Sequence, residues 1–195
     1  ASGRMRPQPG LEVEIRDPET GETLPADTRG EIRVRGWSVM RGYFDKPDET
    51  AAALGADGWL STGDLGRIGA DGRLEFLGRV KDIIRVGGEN VSPAEVEDIL
   101  HKHPKVRLAQ VVGVADPRLI EVPVAFLVAN EGCEIEEGEM IAWARGEMAG
   151  FKVPRRIWVV PDFEAIGMTA SSKVQKSKLA QHAASLLEAE QAVAS

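Results

Sequence analysis

The sequence predicts an α+β protein in two parts, a β-rich stretch over residues 1–80 and a mixed α+β remainder over residues 81–195. Three observations carry this. Leu11 to Arg16 and Glu31 to Arg35 alternate apolar and polar residues, the period of a half-buried strand. Beyond Arg79 the strand-like runs begin to alternate with helical ones. Within the second pattern stands a well-signalled helix start at Ser92-Pro93.

The elements follow in order. Gly21 and Gly30 punctuate the first strands. A short helix is predicted from about Pro47, with Asp48 and Glu49 in its first turn, where acids suit the helix dipole. It runs through Ala51-Ala52-Ala53-Leu54 and ends at Gly55. Asp64 to Ile68 and Leu74 to Leu77 then form a hairpin around Gly69-Ala70-Asp71-Gly72. Ile83 to Val86 reads as a short strand turned by Gly87-Gly88. Ser92, Pro93 and Glu95 have the spacing of a capping box, opening a helix to about His101. Val106 to Val114 and Val122 to Val128 are predicted strands separated by an Asp116-Pro117 turn. Met140 to Met148 reads as a helix, Ile157 to Val160 as a strand, and Gln175 to Ala192 as the last helix. No Gly/Ser linker joins the two parts, so the boundary near Lys81 reads as a hinge.

The bulk properties exclude several classes. A length of 195 residues fits one compact domain or two small ones, and 43% hydrophobic residues suffice for a core. The single cysteine, Cys133, allows no internal disulfide and points to a reducing, cytoplasmic setting. No apolar run approaches the roughly 20 residues of a membrane span. A net charge of −7 argues against a nucleic-acid surface. One basic island interrupts the acidic chain: Lys152, Arg155, Arg156, Lys173, Lys176 and Lys178, against Asp162 and Glu164.

Few residues carry evident chemistry alone. In Thr62-Gly63-Asp64 the glycine lets the backbone approach a ligand, and the carboxylate can accept hydrogen bonds from vicinal hydroxyls, although a simple loop cap is the plainer reading of so common a tripeptide. Arg79 can fork onto ribose or phosphate oxygens, or join a surface ion pair. Gly87-Gly88 is at least a turn, and Lys173 sits in a Ser-rich loop. His101, His103 and His182 form no ligand cluster, and the carboxylates form no metal set.

Three segments change the weight of these readings. They are Trp59-Leu60-Ser61-Thr62-Gly63-Asp64-Leu65, the run from Gly78-Arg79-Val80-Lys81 through Gly87-Gly88-Glu89-Asn90-Val91-Ser92-Pro93, and Thr169-Ala170-Ser171-Ser172-Lys173-Val174-Gln175-Lys176. Together they resemble the AMP-forming acyl-CoA synthetases of the adenylate-forming superfamily, nearest the fatty-acid and aromatic-acid CoA ligases. The resemblance runs from about Gly10 to Leu179.

It implies that residues 1–80 are the last β-rich subdomain, part of a distorted barrel, of a large adenylation domain lacking its N-terminal part. Residues 81–195 would be the small mobile domain. The implied reaction joins a carboxylic acid to ATP, giving acyl-AMP and pyrophosphate, and then passes the acyl group to CoA, with Mg²⁺ arriving on ATP. Asp64 and Arg79 would hold the nucleotide. Lys81 would be the hinge, Gly87 and Gly88 would border the CoA tunnel, and Lys173 would be the catalytic lysine. Lys152, Arg155 and Arg156 resemble a segment that approaches CoA phosphates.

Two positions depart from the family pattern, Gly167 in place of proline and Ser172 in place of glycine. Neither a Thr/Ser/Gly-rich phosphate loop nor a Tyr-Gly-x-Thr-Glu-like segment occurs, so the resemblance implies that this chain alone is inactive. Alternatives are an adenylation domain that hands its product to a carrier protein, or a noncatalytic interaction module derived from the same fold. The acid activated and the oligomeric state are not legible.

Overall fold

The strand-forming runs of the first part pair in one antiparallel sheet in the computed structural model, which describes residues 4–169 and 173–194. The strands are β1 (Arg4–Met5), β2 (Leu11–Arg16), β3 (Gly30–Gly36), β4 (Leu60–Ile68) and β5 (Leu74–Arg79). Their order is β1-β5-β4-β3-β2, an open sheet curled into a half-barrel. Helix α1 (Pro47–Ala53) has proline in its first turn, and its C-cap is Leu54. The buried core is small: Ile15, Ile32, Trp59 and Leu65. Arg35 lies over the Trp59 ring at 4.7 Å, covering it with a cation. The chain divides into two compact units, the first ending at Lys81 and the second starting at Asp82.

The second unit is a sheet covered on both faces. Its strands are β6 (Ile84–Val86), β7 (Glu89–Val91), β8 (Val106–Asp116), β9 (Ile120–Ala129) and β10 (Ile157–Val159). The order is β10-β9-β6-β7, with β8 also paired to β9, and β10 runs parallel to β9. The helices are α2 (Pro93–Leu100), α3 (Glu137–Glu147), α4 (Glu164–Gly167) and α5 (Lys176–Ala194). Ala125 and Leu127 of β9 join a core with Val96 and Leu100 of α2 and Met140 and Ala144 of α3. Val122, Val124, Phe126 and Val128 point into a second core with Leu179 and Ala183 of α5. Burial on both faces is why β9 reads as a continuous apolar run and not as an alternation.

The α+β architecture agrees with the sequence reading, with three local differences. Glu89 to Val91 forms a strand and Glu164 to Gly167 a helix, neither of which has a periodic signal of its own. The capping box does not form. Ser92 occupies the N-cap position of α2 without a side-chain cap hydrogen bond, and Glu95 instead meets Lys152 Nζ at 2.5 Å. A full positive charge competes better for that carboxylate than one backbone N–H does. No helix among the described residues is long and apolar enough to cross a membrane.

Candidate active site

In the first unit the Thr62-Gly63-Asp64 segment is a bulge. Glu31 pairs with Leu65 and Arg33 with Ser61, so three residues of β4 stand opposite Ile32 alone. The extra length is folded by specific bonds. Thr62 Oγ1 donates to Ile32 O at 2.7 Å, and Asp64 N–H donates to Thr62 Oγ1 at 3.1 Å. Gly63 N–H donates to Glu31 Oε1 at 3.1 Å. Gly63 has φ +69, a left-handed conformation that glycine adopts at least cost, while the space around it is open.

The bulge sets Asp64 beside its register partner Arg79, with Nε 2.9 Å from Oδ1. This contact is an ion pair without an aligned hydrogen bond. Oδ1 is buried and receives no donor among the described residues, while the Arg79 side chain is half exposed. A carboxylate oxygen left with free acceptor capacity can take a hydroxyl donor. Glu31, which holds the bulge in shape, had no signal in the sequence, because nothing links it to Gly63 across 32 positions. Lys81 is exposed and lies in a single 3₁₀ turn, Val80–Asp82.

In the second unit Gly87 and Gly88 are the two central residues of the β6–β7 hairpin, with φ +58 and +95. Both values are positive, as the common two-residue hairpin turn requires. Gly87 N–H donates to Leu119 O at 2.8 Å, which ties the turn to the loop between β8 and β9. That loop is folded by Asp116, whose Oδ1 accepts from the N–H groups of Arg118 and Leu119, both at 2.9 Å. These two bonds, aided by nearby Arg155, hold the Asp116 carboxyl below its ordinary pKa. Ile120 closes the loop at φ +72, an outlier for a β-branched residue. A cleft of about 260 Å³ lies here, lined by Val86, Leu119, Val122, Phe151, Arg145 and Arg155 among others.

The basic island does not act as one patch. Lys152 pairs with Glu95, and Arg155 meets Asp116 at 3.3 Å. Arg156 reaches Glu190 at 2.8 Å and Glu137 at 3.4 Å, while Lys176 reaches Glu97 at 2.7 Å. Lys173 and Lys178 differ: both are exposed, and neither makes an ion pair among the described residues. Lys178 lies within α5, Lys173 in the loop before it. The Lys173 backbone is nonetheless fixed. Lys173 N–H donates to Thr169 Oγ1 at 3.1 Å, and Lys173 O accepts from Thr169 N–H at 2.9 Å. Met168 bridges to Val174 around the same loop. Ser172, one of the two departures, lies outside the described residues. Gly167, the other, has φ +142, which proline's ring cannot reach. Among the described residues no three His, Cys, Asp or Glu side chains are grouped to hold a metal ion.

Comparison with known proteins gives a consistent result. Residues 95–173 match the AMP-binding enzyme C-terminal domain, and residues 2–44 match the AMP-binding enzyme family. The chain is 42% identical over 177 residues to the medium-chain acyl-CoA ligase ACSF2, mitochondrial, of Rattus norvegicus, covering 91% of this chain and 28% of that protein. It is 40% identical to the putative acyl-CoA synthetase YngI of Bacillus subtilis, covering 89% of this chain and 31% of the relative. The chain thus spans less than a third of the length of these curated relatives. Among solved structures, ATP-bound MatB from Rhodopseudomonas palustris superposes with a TM-score of 0.84 at 34% identity, covering 91% of this chain and 35% of that one. The amide bond synthetase McbA from Marinactinospora thermotolerans gives 0.83 at 40% identity, with the same coverage.

Proposed function

The chain belongs to the adenylate-forming AMP-binding enzymes, and from that premise we propose that it is the part of an acid–CoA ligase that binds the nucleotide ribose and supplies the catalytic lysine. In this reading a carboxylate attacks the α-phosphorus of ATP to give acyl-AMP and pyrophosphate, and CoA then displaces AMP to give acyl-CoA. The observation that carries the reading is Lys173. It is an exposed ammonium with no carboxylate partner among the described residues, on a backbone fixed by two hydrogen bonds, in a stretch where most other cations are paired.

Negative charge builds on the phosphoryl oxygens and the departing pyrophosphate during adenylation. A placed ammonium therefore stabilises the transition state more than the ground state. Asp64 Oδ1, buried without a donor, suits a ribose hydroxyl, and Arg79 beside it can turn its exposed guanidinium toward the nucleotide. Gly87 and Gly88 offer backbone without side chains for the pantetheine arm. Lys152, Arg155 and Arg156 are the candidates for CoA phosphates, with Arg155 on the rim of an apolar cleft that includes Phe151. Each of the three would exchange its present carboxylate for phosphate. Mg²⁺ would be carried by the ATP phosphates. Lys81 is the proposed hinge, with the first unit as the end of the large domain and the second as the mobile domain.

The residues that cradle the triphosphate and measure the acid have no counterpart among these 195, so we expect the isolated chain to be inactive in ATP–pyrophosphate exchange. The test is Lys173→Ala in the intact enzyme. Loss of one preorganised donor lowers the rate on the order of a hundredfold, about 3 kcal/mol. The loss should fall on pyrophosphate exchange and not on thioester formation from preformed acyl-AMP. Equal loss in both half-reactions refutes the assignment.

A further inference from the structure

Lys176 lies three residues beyond Lys173 and is handled quite differently by the fold. Its side chain is 24% exposed, and Nζ sits 2.7 Å from Glu97 Oε1 and 3.2 Å from Val111 O. Glu97, 14% exposed, uses the same Oε1 to accept the Val111 N–H at 2.8 Å. Val111 belongs to β8, whose inner edge is paired with β9 and whose outer edge has no strand beside it among the described residues. On that outer edge one carboxylate from α2 and one ammonium from the first residue of α5 satisfy both main-chain groups of Val111. They cap it as a neighbouring strand would.

The clasp is the first contact after the Lys173 loop that ties the chain to α2 and β8. Between the two lysines, Val174 bridges back to Met168 and Gln175 N–H donates to Gly167 O at 3.0 Å. Leu179, fully buried in the core below α5, continues the anchorage. The Lys173 backbone is thus held locally by Thr169, and its bearing on the sheet is set where α5 is tied to β8 and α2. A half-buried ion pair is a costly way to fasten a helix, since an apolar contact would do so without partly desolvating two charges. What the pair adds is direction: a charge-assisted bond fixes position more narrowly than greasy packing does.

We infer that Lys176, with Glu97, is a positioning pair for Lys173, fixing the main chain from which that ammonium projects. The inference rests on the reading of Lys173 given under Proposed function. Lys176 touches no substrate; it acts through the loop that precedes it. A displacement of about 1 Å at a reacting group costs on the order of a hundredfold in rate, so loosening this anchor should be visible in adenylation.

The experiment uses Lys176→Met, Lys176→Arg and Glu97→Gln in the intact enzyme, with Lys173→Ala as the reference. Lys176→Met should slow ATP–pyrophosphate exchange roughly tenfold or more through kcat, leave the KM for ATP unchanged, and leave thioester formation from preformed acyl-AMP near wild type. Lys176→Arg, which keeps charge and reach, should recover most of the rate. Glu97→Gln keeps an oxygen for Val111 N–H and removes only the charge. It should show a smaller loss confined to the same half-reaction, and it decides the matter if Lys176→Met does not fold. Normal exchange in both Lys176→Met and Glu97→Gln while Lys173→Ala is crippled would overturn the inference and leave the function intact. Equal loss in both half-reactions would mark the pair as merely structural and overturn it too. Normal exchange in Lys173→Ala itself would remove the reading on which the inference stands.

Discussion

Glu31→Ala is the most direct probe of how the first unit shapes its Thr62-Gly63-Asp64 bulge. Glu31 is 9% exposed, and its carboxylate accepts the Gly63 N–H at 3.1 Å through Oε1 while Oε2 lies 3.4 Å from Arg33 Nε. Hydrogen bonds to charged groups contribute about 1.5–3 kcal/mol. The Arg33 contact is long and not aligned as a hydrogen bond, so it is the weaker of the two. Gly63 is only partly buried, and water can replace part of what is lost. The expected cost is therefore about 2 kcal/mol, near the lower middle of that range. For a unit of this size that corresponds to roughly 10 °C in unfolding midpoint. Glu31→Gln keeps an acceptor oxygen and loses only the charge, so it should cost about 1 kcal/mol. Urea unfolding followed by amide NMR signals of residues 4–81 measures both, and hydrogen exchange at Gly63 reports the bond itself. If Glu31→Gln costs as much as Glu31→Ala, the acceptor role is wrong and the charge dominates. An unchanged Gly63 exchange rate in Glu31→Ala would refute the bond outright.

Two further outcomes concern the second unit. Gly87→Ala and Gly88→Ala should each destabilise it by about 1–2 kcal/mol, because both positions have positive φ. They should differ in side effects, since a Cβ at Gly87 falls 3.0 Å from Leu119 Cδ2 while nothing lies within 4 Å at Gly88. Leu119 methyl signals should move in the first variant and not in the second. The Asp116 loop should weaken in acid. Its carboxyl is held below the ordinary 3.8 by the N–H groups of Arg118 and Leu119, so its stabilising effect is complete above that value and fades as pH falls through the lowered one. Titration of the Asp116 side-chain carbon, with amide exchange at Gly87 and Leu119, checks this; a carboxyl titrating at or above 3.8 would contradict it.

The α+β alternation, the strand and helix centres and the turns at Gly72 and Gly87-Gly88 were legible because each is a local signal. Period, capping residue or a glycine at positive φ speaks within a few positions. What could not be read is what depends on distant partners. Glu95 has the right spacing to cap α2, yet it is claimed by Lys152 across 57 positions. The basic island looked like one patch because sequence shows charge without its counter-charge; the fold sends Arg156 to Glu137 and Glu190 and Lys176 to Glu97. Ile120 at φ +72 is likewise invisible: it falls in the connection between the two predicted strands, where nothing local marks a left-handed β-branched residue.

Gly167 shows how a departure from a family pattern can be understood only once the backbone is known. At φ +142 it sits where an added Cβ would come within 2.8 Å of Lys178 Cδ, a flexible atom that can move aside. The bar to proline at this position is therefore conformational more than steric, because the pyrrolidine ring fixes φ near −65°. A chain with glycine here enters the Lys173 loop by a path closed to one with proline. The loop must then be held by other means. Gly167 O accepts the Gln175 N–H, Thr169 pairs with Lys173, and Lys176 is clasped by Glu97. These contacts close the loop from both sides, which is how an exposed lysine can keep a defined place without a partner for its charge.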